Sequence, residues 1–143
     1  MKLEAYGVSL ELPAGWDGRI GRRADGYVVA HAASFPLPPT DADFALATTE
    51  RLPAGGVAVV LVEYEPALAG TPLFASPGPP KTLAPGEFSP TTLLRRLPGQ
   101  SGLQRFFSHA GRAFCLYVVV GAARPDATLA AQAGSVVATL AMG

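Results

Sequence analysis

Three short patterns in this 143-residue chain carry residue types used in catalysis. Gly99-Gln100-Ser101-Gly102 begins like a nucleophile elbow, in which a strained serine protrudes between a strand and a helix, but position 103 is Leu where that motif requires its closing glycine. The run therefore reads as a turn. His31 and His109 each have the chemistry of a general base, yet spacing places no Asp or Glu to orient either ring. Cys115 stands among Phe114, Leu116 and Tyr117, where a thiol behaves as a small core hydrophobe; a reactive thiolate needs a cationic neighbour.

Metal and cofactor chemistry finds little more. Glu63 and Glu65 flank Tyr64 at the end of an apolar run, so a period of two puts both carboxylates on one side. That is at most half a cation site, because a hard cation takes more oxygen ligands than two glutamates supply, and a solvated pair is the expectation. Gly18, Gly21 and Gly26 do not follow a dinucleotide fingerprint, and no phosphate loop is present. No catalytic, metal-binding or cofactor-binding residue is assigned, no cofactor is expected, and the chain is read as non-enzymatic. Arginine supplies the remaining candidates. Arg95, Arg96 and Arg105, with Arg112 nearby if the last hairpin neighbours the preceding turn, can pair two-pronged with carboxylates while their stems cover apolar surface. Arg95, Arg96 and Arg105 are the candidate partner-binding residues.

Composition sets the frame for these side chains. Nearly half the residues are apolar and 15% are charged, well inside the globular range. Eleven basic and eleven acidic side chains cancel, which removes the long-range field that non-specific nucleic-acid binding needs. One cysteine fits a reducing compartment, and Glu4 and Glu11 interrupt the apolar residues of the first segment, so a cytoplasmic monomer or small homo-oligomer without membrane attachment is expected.

The elements follow from period and punctuation. Val8, Leu10 and Leu12 alternate as a strand that Pro13 to Gly15 ends, with Trp16 closing one end of a core. Residues 17–26 read as a turn or loose hairpin, and residues 27–33 as a strand containing His31. The prolines of the 35–39 run confine it to an edge or a connection. Thr40 or Asp41 caps an expected short helix reaching about Leu52. Residues 57–64 are apolar on both faces, as in the middle of a covered sheet. Residues 65–98 hold eight of the fourteen prolines and are expected to be irregular, anchored by Phe74, Leu83 and Phe88, with at most a short helical turn starting at Ser89 or Thr91.

The last unit is the clearest. Residues 103–108 and 113–120 flank a turn in which Gly111 supplies positive φ, and symmetry about Ala110-Gly111 sets Phe107 opposite Phe114 and Arg105 opposite Leu116. Asp126 caps a helix whose Leu129, Ala133, Val136, Val137 and Leu140 form one apolar stripe. The class expected from the residues is α+β: a single domain over residues 1–143 with an antiparallel sheet of about six strands, flanked by helices, and the C-terminal helix packed on it.

The opening Gly7-Val-Ser-Leu-Glu-Leu-Pro-Ala-Gly-Trp16 and the closing Val136-Val-Ala-Thr-Leu140 resemble the PsbP-like superfamily. The resemblance covers about a fifth of the chain, its motifs are structural, and the proline-rich 65–98 segment departs from it. It implies an α/β/α sandwich and a role in binding or assembly, since members serve mainly as such factors and share no catalytic motif. The functional expectation is a binding or assembly module acting on an unidentified protein partner. A small-ligand-binding domain with a pocket between sheet and helices is the alternative.

Overall fold

Residues 57–64, apolar on both faces, form the middle strand of a five-stranded sheet in the computed structural model, which describes all 143 residues. In chain order the elements are β1 (Lys2–Ala5), β2 (Val8–Glu11), β3 (Asp17–Arg22), β4 (Val28–Ala33), α1 (Leu46–Glu50), β5 (Val57–Tyr64), β6 (Ser101–His109), β7 (Arg112–Val120), α2 (Ala127–Val137) and β8 (Ala141–Met142). The large sheet runs β3-β4-β5-β7-β6 and a small one β1-β2-β8, all pairings antiparallel. The class is α+β, as expected. No helix is long and apolar enough to cross a membrane.

The expectation of one sheet of about six strands is corrected to eight strands in two sheets. β1 pairs with β2 through Tyr6 and Gly7, whose φ values of 54° and 77° are those of a tight hairpin turn. Gly7 has a second reason to lack a side chain: its Cβ would stand 2.8 Å from both the Arg112 guanidinium and the Gly143 carbonyl. Residues 17–26 are more regular than a loose turn, because β3 takes all six of its residues into register with β4. The weak strand propensity of Asp-Gly-Arg-Ile-Gly-Arg is overridden by that pairing.

The β6–β7 hairpin has the register its turn symmetry predicts, with Phe107 opposite Phe114, Arg105 opposite Leu116, and φ of 52° and 76° at Ala110 and Gly111. On one face of the large sheet, Val59, Leu61, Leu116 and Val118 meet Leu129, Ala133, Val136 and Val137 of α2 and Val8 and Leu10 of the small sheet in a 24-residue core. Asp126 caps α2 by accepting the Leu129 N–H at 2.8 Å. The helix stops at Val137 rather than reaching Leu140. There the Thr139 hydroxyl donates to the Val136 carbonyl and accepts the Glu11 N–H, turning the chain into β8 while Leu140 stays buried.

The opposite face is covered differently. Ala45, Val60, Val62, Leu93, Tyr117 and Val119 form a six-residue core beneath α1 and its flanking segments, so a short helix and connections stand where a full helical layer was expected. The helix expected from Thr40 or Asp41 is only Leu46–Glu50. Asp41 still serves its start across a turn that ends with Ala45 at φ 58°, its carboxylate accepting the N–H of Ala47 and Thr48 and the Thr48 hydroxyl at 2.6–2.9 Å.

Residues 65–98 make four 3-10 turns, Pro66–Leu68, Pro72–Phe74, Pro85–Glu87 and Pro90–Thr92, each with proline at its start, where no N–H is needed. Phe74, Leu83 and Phe88 are buried, as expected of the anchors. Val136, 1% exposed within the α2 stripe, supplies the test of the packing. Val136→Asp places an unpaired charge in that core and is expected to lower stability by roughly 3 to 5 kcal/mol in urea denaturation; a variant as stable as the parent would mean that α2 does not dock there.

Candidate functional site

Glu63 is the one charged side chain fully inside the fold, on the α2 side of β5 next to Leu61. It is neither half of a cation site nor a solvated glutamate, and it does not converge with Glu65, which lies exposed beyond the strand. Arg112 grips it with two bonds, Nε to Oε2 at 2.8 Å and Nη2 to Oε1 at 3.1 Å, and the Val28 N–H donates to Oε1 at 3.0 Å. Burial pushes the carboxyl up, but these bonds outweigh it and hold Glu63 below the usual carboxylate range. Arg112 also donates to the Gly143 carbonyl and lies 5.1 Å over the Phe114 ring, while Arg23 donates to the Glu63 carbonyl at 2.7 Å. The only signal for this node in the sequence is a glutamate within an otherwise apolar strand.

Ser101 is completely buried and donates to the Ala122 carbonyl, so it is no exposed nucleophile. Cys115 lies in the core, where burial pushes its thiol up to about 11, the condition of an inert cysteine. His109 is exposed beside the hairpin turn. His31 is 7% exposed on β4, opposite Arg19, and its Nε2 stands 2.7 Å from the Asp43 carbonyl.

Each of the three candidate arginines has a distinct setting. Arg105 shares the α2-facing side of β6 with Leu103 and Phe107 and bonds Glu87 at 2.9 Å. Arg95 lies on the α1 side of the sheet and pairs with Glu50 of α1 at 3.4 Å. Arg96 is exposed and has no carboxylate within salt-bridge distance. Arg95 and Arg96 are thus adjacent, and Arg105 points to the other side of the sheet. Just before the pair, Leu93 turns into the smaller core, whereas Leu94, its N–H bound to the Tyr117 hydroxyl at 3.0 Å, points outward and is 51% exposed. Leu46, also exposed, is four residues before Glu50 on α1 and therefore on the same helical face. Each partner of the Arg95–Glu50 pair thus has an exposed leucine near it along the chain, Leu46 one helical turn before Glu50 and Leu94 next to Arg95.

The space between the large sheet and α2 is filled by core side chains. The largest surface hollow, about 530 Å³, opens at the end of the small sheet between the β1–β2 turn and residues 141–143. A second, of about 260 Å³, lies over β3 and β4 beside His31. No protein-family model matches the chain, and neither does any curated protein or solved structure.

Glu63 makes stability depend on pH in a definite direction. A carboxyl whose folded pKa is depressed contributes stability that is complete above its unfolded value and is lost as pH falls through the folded value. Arg112→Leu leaves that carboxylate buried without its partner and is expected to cost about 3 kcal/mol at pH 7. The gap between variant and parent should narrow as both are acidified below about pH 4, where the parent's own advantage titrates away. Urea denaturation at several pH values measures it, and a gap that is constant or widens toward acid would remove the ion pair as its source.

Proposed function

We propose that this chain is a non-enzymatic binding module of PsbP-like sandwich type, acting through protein contacts. The architecture is supported by the opening strand with Pro13, Gly15 and Trp16, and by the closing helix with Val136 and Val137 laid on an antiparallel sheet. A cytoplasmic place of work fits a chain whose one cysteine is an unpaired core thiol.

The observation that carries the binding reading is the surface formed by Leu46, Leu94 and the 95–96 arginines. Exposed leucines beside an exposed ion pair and an arginine without a carboxylate combine apolar area with charge, and arginine is among the residues enriched at interfaces. Arg96 gives the partner its sign: a segment with acidic side chains next to apolar ones. Leu94 and Arg96 are exposed and belong to neither apolar core, so substitutions there are expected to change stability little.

Leu94→Glu combined with Arg96→Glu is expected to leave the melting temperature unchanged and to weaken association with any partner retained by the parent chain roughly tenfold or more, about 1.4 kcal/mol. Parallel affinity capture on immobilised parent and double variant, followed by titration of the retained protein, measures this. Equal retention on both would exclude this surface.

A further inference from the structure

The hollow over β3 and β4 is built around a glycine that nothing in the fold requires. β3 contains two glycines. At Gly18 a Cβ would stand 2.8 Å from the Leu12 and Leu3 side chains and 3.2 Å from the His31 carbonyl, so any larger residue would have to displace the packing of the small sheet against the large one. At Gly21, opposite Val29, a Cβ would meet no atom within 4 Å, and the backbone is not in the left-handed region. A glycine inside a strand costs stability and leaves the pleat without a side chain, and such a position commonly marks the close approach of a ligand or another chain. Alternation puts Gly21 on the same face as Arg19 and Arg23, and all three line the hollow with His31, Asp41 and Asp43.

The wall of this hollow holds a buried side chain with an unused polar atom. His31 is more than nine-tenths buried, and its Nε2 lies 2.7 Å from the Asp43 main-chain carbonyl. A carbonyl only accepts, so Nε2 carries the proton and the neutral ring keeps its lone pair on Nδ1. Nδ1 takes no hydrogen bond from the chain and is not among the fully enclosed polar atoms, so it keeps accessible surface on a ring that lines the hollow.

The charges around it are unevenly spent. Asp41 uses both oxygens at the start of α1, and Asp43 receives Arg23 at Oδ2, leaving Oδ1 free. Arg19 has no carboxylate. Both of its terminal nitrogens are steadied by the Pro38 and Pro39 carbonyls, which orient the guanidinium without neutralising it. The hollow therefore presents Arg19 as an oriented cation without a carboxylate next to two free acceptors, His31 Nδ1 and Asp43 Oδ1, while Arg22, also on its lining and without a carboxylate, lies over the Tyr6 ring.

We propose that this hollow is a binding site for a compact carboxylate that also carries a hydrogen-bond donor, as small amino and hydroxy acids do. The carboxylate lies toward Arg19, the ammonium or hydroxyl donates to His31 Nδ1, and the body of the molecule rests over Gly21. A volume of about 260 Å³ is below the roughly 300–1,000 Å³ of sites for drug-sized ligands, which suits a small occupant. The site is separate from the Leu94 and Arg96 surface and stands independently of the protein-binding reading.

The test is an NMR titration of the full chain with glycine, glycolate and acetate, following the His31 imidazole nitrogens and the Gly21 amide. Saturable shifts at both are expected with glycine or glycolate, and acetate, which lacks the donor, should bind at least tenfold more weakly. Which of the first two binds more tightly tells whether the natural donor is an ammonium or a hydroxyl. Gly21→Leu fills the hollow where there is free space, so it should fold with an unchanged or raised melting temperature and lose the His31 shifts; Gly21→Val serves the same comparison if the leucine variant does not fold. The proposal is overturned if glycine and glycolate leave His31 unmoved, if acetate binds as well as they do, or if the filled variant still binds.

Discussion

A carboxylate buried in an apolar core has to be matched where it lies, and the position of Glu63 on β5 makes that demand at the point where the elements meet. Its side chain is held by Arg112 at the start of β7 and by the Val28 N–H at the start of β4, and its carbonyl by Arg23 from the β3–β4 turn. Arg112 continues to the Gly143 carbonyl, and Gly143 donates to Gly7 in the β1–β2 turn. One side chain thus fixes the ends of three strands of the large sheet and ties the small sheet to them. A shift of β5 by one residue would turn Glu63 to the other face and leave Arg112 without a partner, so the pair adds a register constraint that apolar side chains alone do not impose.

The two faces of the large sheet are covered by unlike means, and this governs where the surface can bind anything. On the α2 side an eleven-residue helix and the small sheet supply enough apolar area to fill the interface completely. On the α1 side the cover is a five-residue helix, the 35–45 segment and Leu93, and polar contacts finish what apolar packing does not. Arg19 bonds the Pro38 and Pro39 carbonyls, Asp41 binds the start of α1, and His31 reaches the Asp43 carbonyl. A cover sewn down at separate points leaves hollows and exposed leucines between them. Both the His31 hollow and the Leu94 surface lie on this side.

The proline-rich segment has a mechanical role within the same scheme. β6 is an edge strand, and its outward backbone groups would be open to pairing with another chain. Ser89 exchanges two bonds with Gly102, and Ser76 and Gly78 bond Ser108, so the segment closes both ends of that edge. The 3-10 turns and buried Phe74, Leu83 and Phe88 hold it in place at low conformational cost, because proline has little freedom to lose.

Wherever a signal is local, the sequence alone determined the structure. The period of β5, the turn symmetry of Ala110-Gly111, the Asp126 cap and the α2 stripe all act within a few residues, and each leads to the element observed. The same holds for the three aromatic and aliphatic anchors of the proline-rich segment. Tertiary structure decided what depends on pairing between distant residues. β3 and β1 have sequences with little strand preference and become strands because a partner offers hydrogen bonds; the 40–52 helix shortens because Asp41 is drawn into a turn. Glu63 could be recognised as buried only once Arg112, forty-nine residues later, was beside it, and Arg105 parted from Arg95 and Arg96 because strand alternation sent it to the opposite face. The His31 hollow was legible least of all. It arises from a missing side chain at Gly21 and a lone pair left over at Nδ1, and an unfilled space or an unspent acceptor exists only relative to neighbours that folding brings together.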